Sequence, residues 1–299
     1  MQFVPQTPVM SGLSRRRFLV AAAGAMAGAC APSRVVPSAG QPLAEIEAKV
    51  GGRVGVFALD TGGGRHLVHR SDERFAMCST FKWVLAAAIL VRVDQRQLSL
   101  DERLSYDQTA LLEFSPITSK HLAEGSMTIR ALAEAAVTLS DNTAANLLLA
   151  KLGGPSAFTE FARSLGDSVT RLDRNEPALN SNTPGDLRDT TSPRAMVGLM
   201  RRVLCGNTLS PARRDLLLSW LRASQTGKDR LRAGLPKDWI AGDKTGTGQR
   251  GAANDVAIAE PPGRAPILIA SYLSDGNAGL AALAAAHAEI GRLVGRSFD

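Results

Sequence analysis

Cys78-Ser79-Thr80-Phe81-Lys82-Trp83-Val84-Leu85-Ala86-Ala87-Ala88-Ile89-Leu90-Val91-Arg92-Val93 follows a charged turn, Ser71-Asp72-Glu73-Arg74, and continues with little polar interruption. Leu85, Ala88, Ile89 and Val93 recur at helical spacing, which predicts a core helix beginning near Ser79. On that helix Ser79 and Lys82 stand one turn apart on a shared face. The Ser79 hydroxyl then lies at the positive end of the helix dipole, where developing negative charge is favoured. A basic nitrogen one turn away suits a serine nucleophile activated without histidine. Alone, Ser-x-x-Lys carries little weight, because it arises by chance about once in a chain of this length.

Upstream, the segment from Leu43 to Val50 reads as a short helix stopped by Gly51-Gly52. Segments 53–60 and 65–70 flank Thr61-Gly62-Gly63-Gly64 as a β-hairpin. Downstream, 239–247, 255–260 and 266–274 read as strands, and an alanine- and leucine-rich helix from Gly279 to Val294 closes the chain. Between Ser79 and about Arg222 nearly everything reads as helix. Ile129, Leu132, Ala133, Ala136 and Val137 form one apolar stripe, and Ser192-Pro193 and Ser210-Pro211 each place an N-cap before a first-turn proline. The exception is 171–189, a long charged segment interrupted by Pro177 and Pro184-Gly185, as functional loops often are. The expected fold is α+β: a five-stranded antiparallel sheet flanked by helices, with an inserted all-helical lobe.

The chain has 299 residues, 44% of them hydrophobic, enough for one large domain or two lobes. Its net charge of +7 owes three units to Arg15, Arg16 and Arg17, and no basic block follows, so nucleic acid is not an expected partner. Three cysteines, Cys30, Cys78 and Cys205, show no metal or redox spacing. His66 and His69 fall three apart on one strand, hence on opposite faces, and with His121 and His287 they form no zinc-ligand cluster. Ser14-Arg15-Arg16-Arg17-Phe18-Leu19 resembles a twin-arginine export motif, and the twelve apolar or small residues from Phe18 to Ala29 are too few to span a bilayer. Cys30 after Ala27-Gly28-Ala29 leaves two processing routes open, lipidation of Cys30 or ordinary cleavage. The expected organisation is a signal segment over 1–30, a proline-marked linker over 31–42 and a catalytic domain over 43–299. That domain divides into an α/β lobe (43–72 and 223–299) and a helical lobe (73–222).

Ser140-Asp141-Asn142 follows the apolar stripe, and Lys244-Thr245-Gly246 lies on a strand pattern near the C-terminus. Ser-x-x-Lys, Ser-Asp-Asn and Lys-Thr-Gly in this order resemble the active-site set of class A serine β-lactamases. The likeness runs from about Leu43 to the C-terminus. It implies hydrolysis of penicillins and cephalosporins through a serine acyl-enzyme, no cofactor and no metal, a monomer, and a periplasmic location. The matching positions imply Ser79 as nucleophile, with Lys82 or Glu176 taking its proton. The backbone N–H groups of Ser79 and Thr247 would form the oxyanion hole. Ser140, assisted by Lys244, would protonate the leaving nitrogen. Asn142 would bind the acylamino side chain, Glu176 and Asn180 would hold the hydrolytic water, and Arg174 and Asp189 would close the loop with an ion pair. Thr245 in Lys244-Thr245-Gly246-Thr247 would touch the substrate carboxylate, and Phe114 matches an aromatic gate position.

Two departures stand out. Some carbapenem-hydrolysing relatives bridge the position of Cys78 to a second cysteine where this chain has Gly248, which weighs against carbapenem hydrolysis. Many relatives supply a carboxylate-binding arginine at the position of Ala253; here Arg230 matches the place from which a subset supplies it, and Arg250 belongs to the preceding turn. A D-alanyl-D-alanine peptidase shares the Ser-x-x-Lys set but lacks the Glu-plus-water device that Glu176 and Asn180 match. A non-enzymatic antibiotic sensor would need a membrane-spanning segment in the same chain, and no stretch after residue 30 reads as one.

Overall fold

The computed structural model describes residues 40–299; the twin-arginine motif and Cys30 lie outside the described residues. Helix α1 (Gly40–Val50) leads into the hairpin β1 (Arg53–Asp60) and β2 (His66–His69). The late strands are β7 (Ile240–Thr247), β8 (Ala253–Glu260) and β9 (Ile267–Ser274), followed by α9 (Leu280–Phe298). Together they build one five-stranded sheet in the order β2-β1-β9-β8-β7, antiparallel throughout. This is the α+β architecture that the strand pattern implies.

Side chains alternate across the sheet with period two. Val54, Val56 and Ala58 of β1 and Ile267, Ile269 and Leu273 of β9 pack beneath α1 and α9. Phe57 and Leu268, Ala270 and Tyr272 face the other way, into a core shared with the helices of the middle third. The hub of that core is α2 (Phe81–Asp94), buried on all sides except near its end. A helix apolar all round belongs in an interior, and Lys82 is the one charge it carries there. Around it lie α3 (Ile129–Thr138), α4 (Asn142–Leu152), α5 (Gly154–Ser164) and α7 (Pro211–Arg222), while α6 (Pro193–Leu204) rests on β1 and β9. A short α8 (Leu231–Gly234) sits so close on α9 that a Cβ at Gly234 or Gly291 would collide with the opposing backbone.

Three expectations need correction. Ser79 lies in a 3-10 turn (Cys78–Thr80) that leads directly into α2, with Cys78 at φ 45° and both Thr80 and Phe81 in the right-handed helical region. The middle third is also not purely helical: β3 (Phe75–Ala76) pairs with β6 (Thr190–Thr191), and β4 (Arg103–Ser105) with β5 (Ser126–Thr128). Finally, Ser192 caps α6 by accepting from Ala195 N (3.2 Å), but the Ser210 hydroxyl donates to Asp94 Oδ1 (2.7 Å) and caps nothing.

Candidate active site

Three elements bring the motifs to one place. The Cys78–Thr80 turn presents Ser79, and Asn254 of β8 steadies the approach by donating to Ala76 O (2.9 Å) and Met77 O (3.1 Å). Ser140 sits between α3 and α4 at φ 61°. Its neighbour Asp141 is wholly buried, where its carboxylate caps α4 through Ala144 N (2.9 Å) and accepts from Ile117 N and Thr118 N (2.9 Å each). Lys244 comes from the edge strand β7.

The Ser79 hydroxyl donates to Glu176 Oε1 at 3.1 Å. The same oxygen stands 3.0 Å from Lys82 Nζ, and both charged side chains are fully buried. Lys82 Nζ also donates to Ser140 O (2.7 Å) and Asn142 Oδ1 (2.6 Å), and lies 3.4 Å from Ser140 Oγ. Lys244 Nζ reaches that hydroxyl from the other side at 3.0 Å. Burial pushes Lys82 below the ordinary lysine range, with the Glu176 carboxylate working against it. Lys244 is pushed down to about 7, first by burial and then by the charge of Lys82.

Glu176 is held from both ends. Its second oxygen accepts from Asn180 Nδ2 at 2.6 Å. Asn146 brackets its backbone, donating to Glu176 O and accepting from Glu176 N, both at 3.0 Å. The sequence reading missed Asn146, although it lies one helical turn beyond Asn142, where an amide shares the face that looks at the loop. Asp189 is fully buried and accepts from Asp173 N (2.7 Å), Arg174 N (2.9 Å) and Arg174 Nε (2.5 Å).

These residues open onto a cleft of about 330 Å³ bounded by Ser79, Ser140, Asn142, Asn180, Thr245 and Thr247. Gly246 and Arg230 line it too, with Thr226, which the sequence did not single out and which accepts from Thr245 Oγ1 at 2.6 Å. The Arg230 guanidinium donates to Gly246 O (2.9 Å), Asn254 O (2.7 Å) and Thr247 Oγ1 (2.8 Å). Phe114 is at the rim, 59% exposed, and not in the core. Ala253 is buried, and Arg250 is exposed on the β7–β8 turn. Cys78 is buried with its thiol pushed up to about 12, chiefly by burial, and a Cβ at Gly248 would stand 2.7 Å from its sulfur. Another cavity, about 340 Å³ and lined by Arg53, Arg74, Arg174 and Arg188, contains none of the motif residues.

A serine, two buried lysines and a carboxylate in one hydrogen-bonded cluster make the chemistry that of acyl transfer through a serine. The model of the β-lactamase enzyme family matches residues 39–298, and the chain belongs to that family. Among its relatives are the carbapenem-hydrolysing β-lactamase KPC of Klebsiella oxytoca, 49% identical over 78% of this chain and 79% of the relative, and β-lactamase AST-1 of Nocardia asteroides, 51% identical over 76% and 73%. An ancestral class A β-lactamase, the reconstructed last common ancestor of Gram-negative bacteria, superposes with a TM-score of 0.85 at 56% identity, covering 86% of this chain and 99% of that one. The putative class A β-lactamase PenP of Rhodopseudomonas palustris gives the same TM-score, 0.85, at 52% identity over 86% and 98%. Within the family, the chain is a class A member.

Proposed function

We propose that Ser79 opens the β-lactam ring with Glu176 as its base, and that Glu176 then directs the water that releases the product. The enzyme is a class A β-lactamase, a hydrolase of β-lactams, whose action confers antibiotic resistance. The observation that carries the assignment of roles is the 3.1 Å bond from Ser79 Oγ to Glu176 Oε1. Lys82 is an unsuitable base in this arrangement. Its nitrogen faces three close acceptors, Ser140 O, Asn142 Oδ1 and Glu176 Oε1, and three N–H protons of an ammonium satisfy them. Lys82 and the Ser79 hydroxyl thus share Glu176 Oε1, and that oxygen stands within hydrogen-bond reach of the proton to be removed.

Ser140 accepts from Lys244, which leaves its own proton to pass to the ring nitrogen as the amide breaks. Backbone donors at Ser79 and Thr247 receive the oxyanion, each worth ~3 kcal/mol in the transition state. Arg230 and Thr245 clamp the substrate's carboxylate, since a planar guanidinium matches its two oxygens. Asn142 meets the acylamino group. Asn180 orients Glu176 for deacylation, the step that separates this enzyme from a peptidase whose acyl-enzyme with penicillin persists. The substrates proposed are penicillins and cephalosporins, and the enzyme works as a monomer in the periplasm, delivered by its arginine-rich N-terminal segment. The domain boundaries proposed are those read from the sequence, with the cleft between the α/β and helical lobes.

Covalent labelling tests the nucleophile. Ser79→Ala should retain its fold by circular dichroism and take up no labelled penicillin, with turnover down on the order of 10⁴-fold or more. Continued labelling of the folded variant would remove Ser79 from this role.

A further inference from the structure

Arg230 reaches the cleft from just outside a helix. It precedes α8 with φ −100° and ψ −129°, its N–H donating to Gly227 O (3.1 Å) and its carbonyl accepting from Ala233 N (3.0 Å). The next N–H, that of Leu231, is met by Asp255 Oδ2 at 3.0 Å. Asp255 is fully buried in β8 and stands across from Thr245 in register. The carbonyl one residue earlier, Asn254 O, accepts from the Arg230 guanidinium at 2.7 Å. A single step of β8 thus grips Arg230 twice, by its following peptide and by its head group. The close glycine contact between α8 and α9 prevents the segment from backing away.

We propose that Asp255 is the positioning residue of the carboxylate clamp, fixing Arg230 while leaving its positive charge for the substrate. The inference rests on the clamp reading given above. An ionised Asp255 would act as a counter-ion to Arg230 and compete with the ligand. The charged groups acting on it are Asp243 from β7, Arg230 just before α8 and Arg232 within it, and His287 of α9 meets Ser271, the partner of Asp255 in register. Arg232 pairs with Asp243, Nε to Oδ1, at 2.5 Å. The hydrogen bonds of Arg230 go to two carbonyls and a hydroxyl, and none goes to Asp255. Asp255 Oδ1 is buried without a hydrogen-bond partner among the described residues. Burial, and next the Asp243 charge, hold the Asp255 carboxyl well above the usual carboxylate range. Burial also pushes His287 down to about 3, so it brings no positive charge to the cluster. As a neutral acid, Asp255 accepts from Leu231 N without opposing Arg230.

The test is a double-mutant cycle read in kcat and KM separately, using a penicillin. Asp255→Ala should raise KM about tenfold with a smaller change in kcat, and should add nothing in an Arg230→Ala background. Asp255→Asn keeps the acceptor and cannot ionise, so its KM should return to within about twofold of wild type. Additive effects of Asp255→Ala and Arg230→Ala, or an Asp255→Asn variant as impaired as the alanine, would overturn the proposal. Should Asp255→Ala fail to fold, infrared difference spectroscopy of wild type against Asp255→Asn decides. The carbonyl band of a protonated carboxyl in wild type supports the proposal, and carboxylate bands alone refute it. Arg230→Ala with unchanged kcat/KM would instead refute the clamp itself, whatever Asp255 does.

Discussion

Lys82 and Lys244 approach the Ser140 hydroxyl from opposite sides, at 3.4 and 3.0 Å, and neither has access to water. Two ammonium groups so close and so dry are costly together, and the cluster relieves the strain unequally. Lys82 has a buried carboxylate as partner, whereas Lys244 donates to a hydroxyl and a carbonyl and yields its proton near pH 7. The consequence for stability has a definite sign. An unfolded chain holds the Lys244 proton up to its ordinary value of 10.5, while the folded chain releases it at about 7. Between those values the unfolded state binds more protons, so stability gains from rising pH, by up to about 1.4 kcal/mol per pH unit. Below about 7 and above 10.5 the contribution is flat. Denaturant titrations of wild type and Lys244→Met from pH 6 to pH 10 should therefore diverge in favour of wild type as pH rises. Parallel curves would show that Lys244 keeps its proton across this range.

At the scale of elements, the loop 171–189 stands or falls with one carboxylate. Asp189 binds three donors at the loop's base, sits at φ 58°, and passes its own carbonyl to Met77 N at 2.9 Å, next to the nucleophile's turn. Asp189→Ala leaves Arg174 and two N–H groups without their acceptor. We expect a loss of about 3 kcal/mol in unfolding free energy, faster proteolysis within 171–189, and slower deacylation than acylation. Unaltered proteolysis would show that the loop is held by other contacts. The loop was legible in the sequence because prolines and charges break the helical periodicity around it. So was the hairpin, because Thr61-Gly62-Gly63-Gly64 interrupts two apolar runs. The β3–β6 pair was not, since two residues carry no period and their partners lie more than a hundred positions away. Asp243 and Asp255 escaped for another reason: a carboxylate in a strand reads as solvent-facing, and it takes the 224–227 segment over Asp243 and α8 and α9 over the same face of β8 to bury them.

At the scale of the whole molecule, the sheet separates two cores, and the cleft opens beside its β7 edge, where strands and central helix meet. The Ser79–Lys82 spacing was visible in the chain. Their convergence with Ser140, Glu176 and Lys244 was implied by the family resemblance and not by spacing, since it needs α2, α4 and β7 in place at once. Delivery is a further proposal for the molecule as a unit: the twin-arginine reading of Ser14-Arg15-Arg16-Arg17-Phe18-Leu19 has the N-terminal segment address the folded enzyme. Replacing Arg15 and Arg16 together by lysine should keep the protein in the cytoplasm when cell fractions are assayed for β-lactamase activity. Undiminished periplasmic activity would mean that another export route carries it.

On the proposed mechanism one carboxylate, Glu176, both activates Ser79 and clears the acyl-enzyme. Intact-mass spectrometry of Glu176→Ala mixed with a penicillin tests it most directly. Both steps should slow, deacylation by on the order of 10²–10⁴-fold and more than acylation, so the spectrum should show the protein carrying the added mass of one penicillin on Ser79. A spectrum of free protein with turnover unchanged from wild type would show that Glu176 serves neither step.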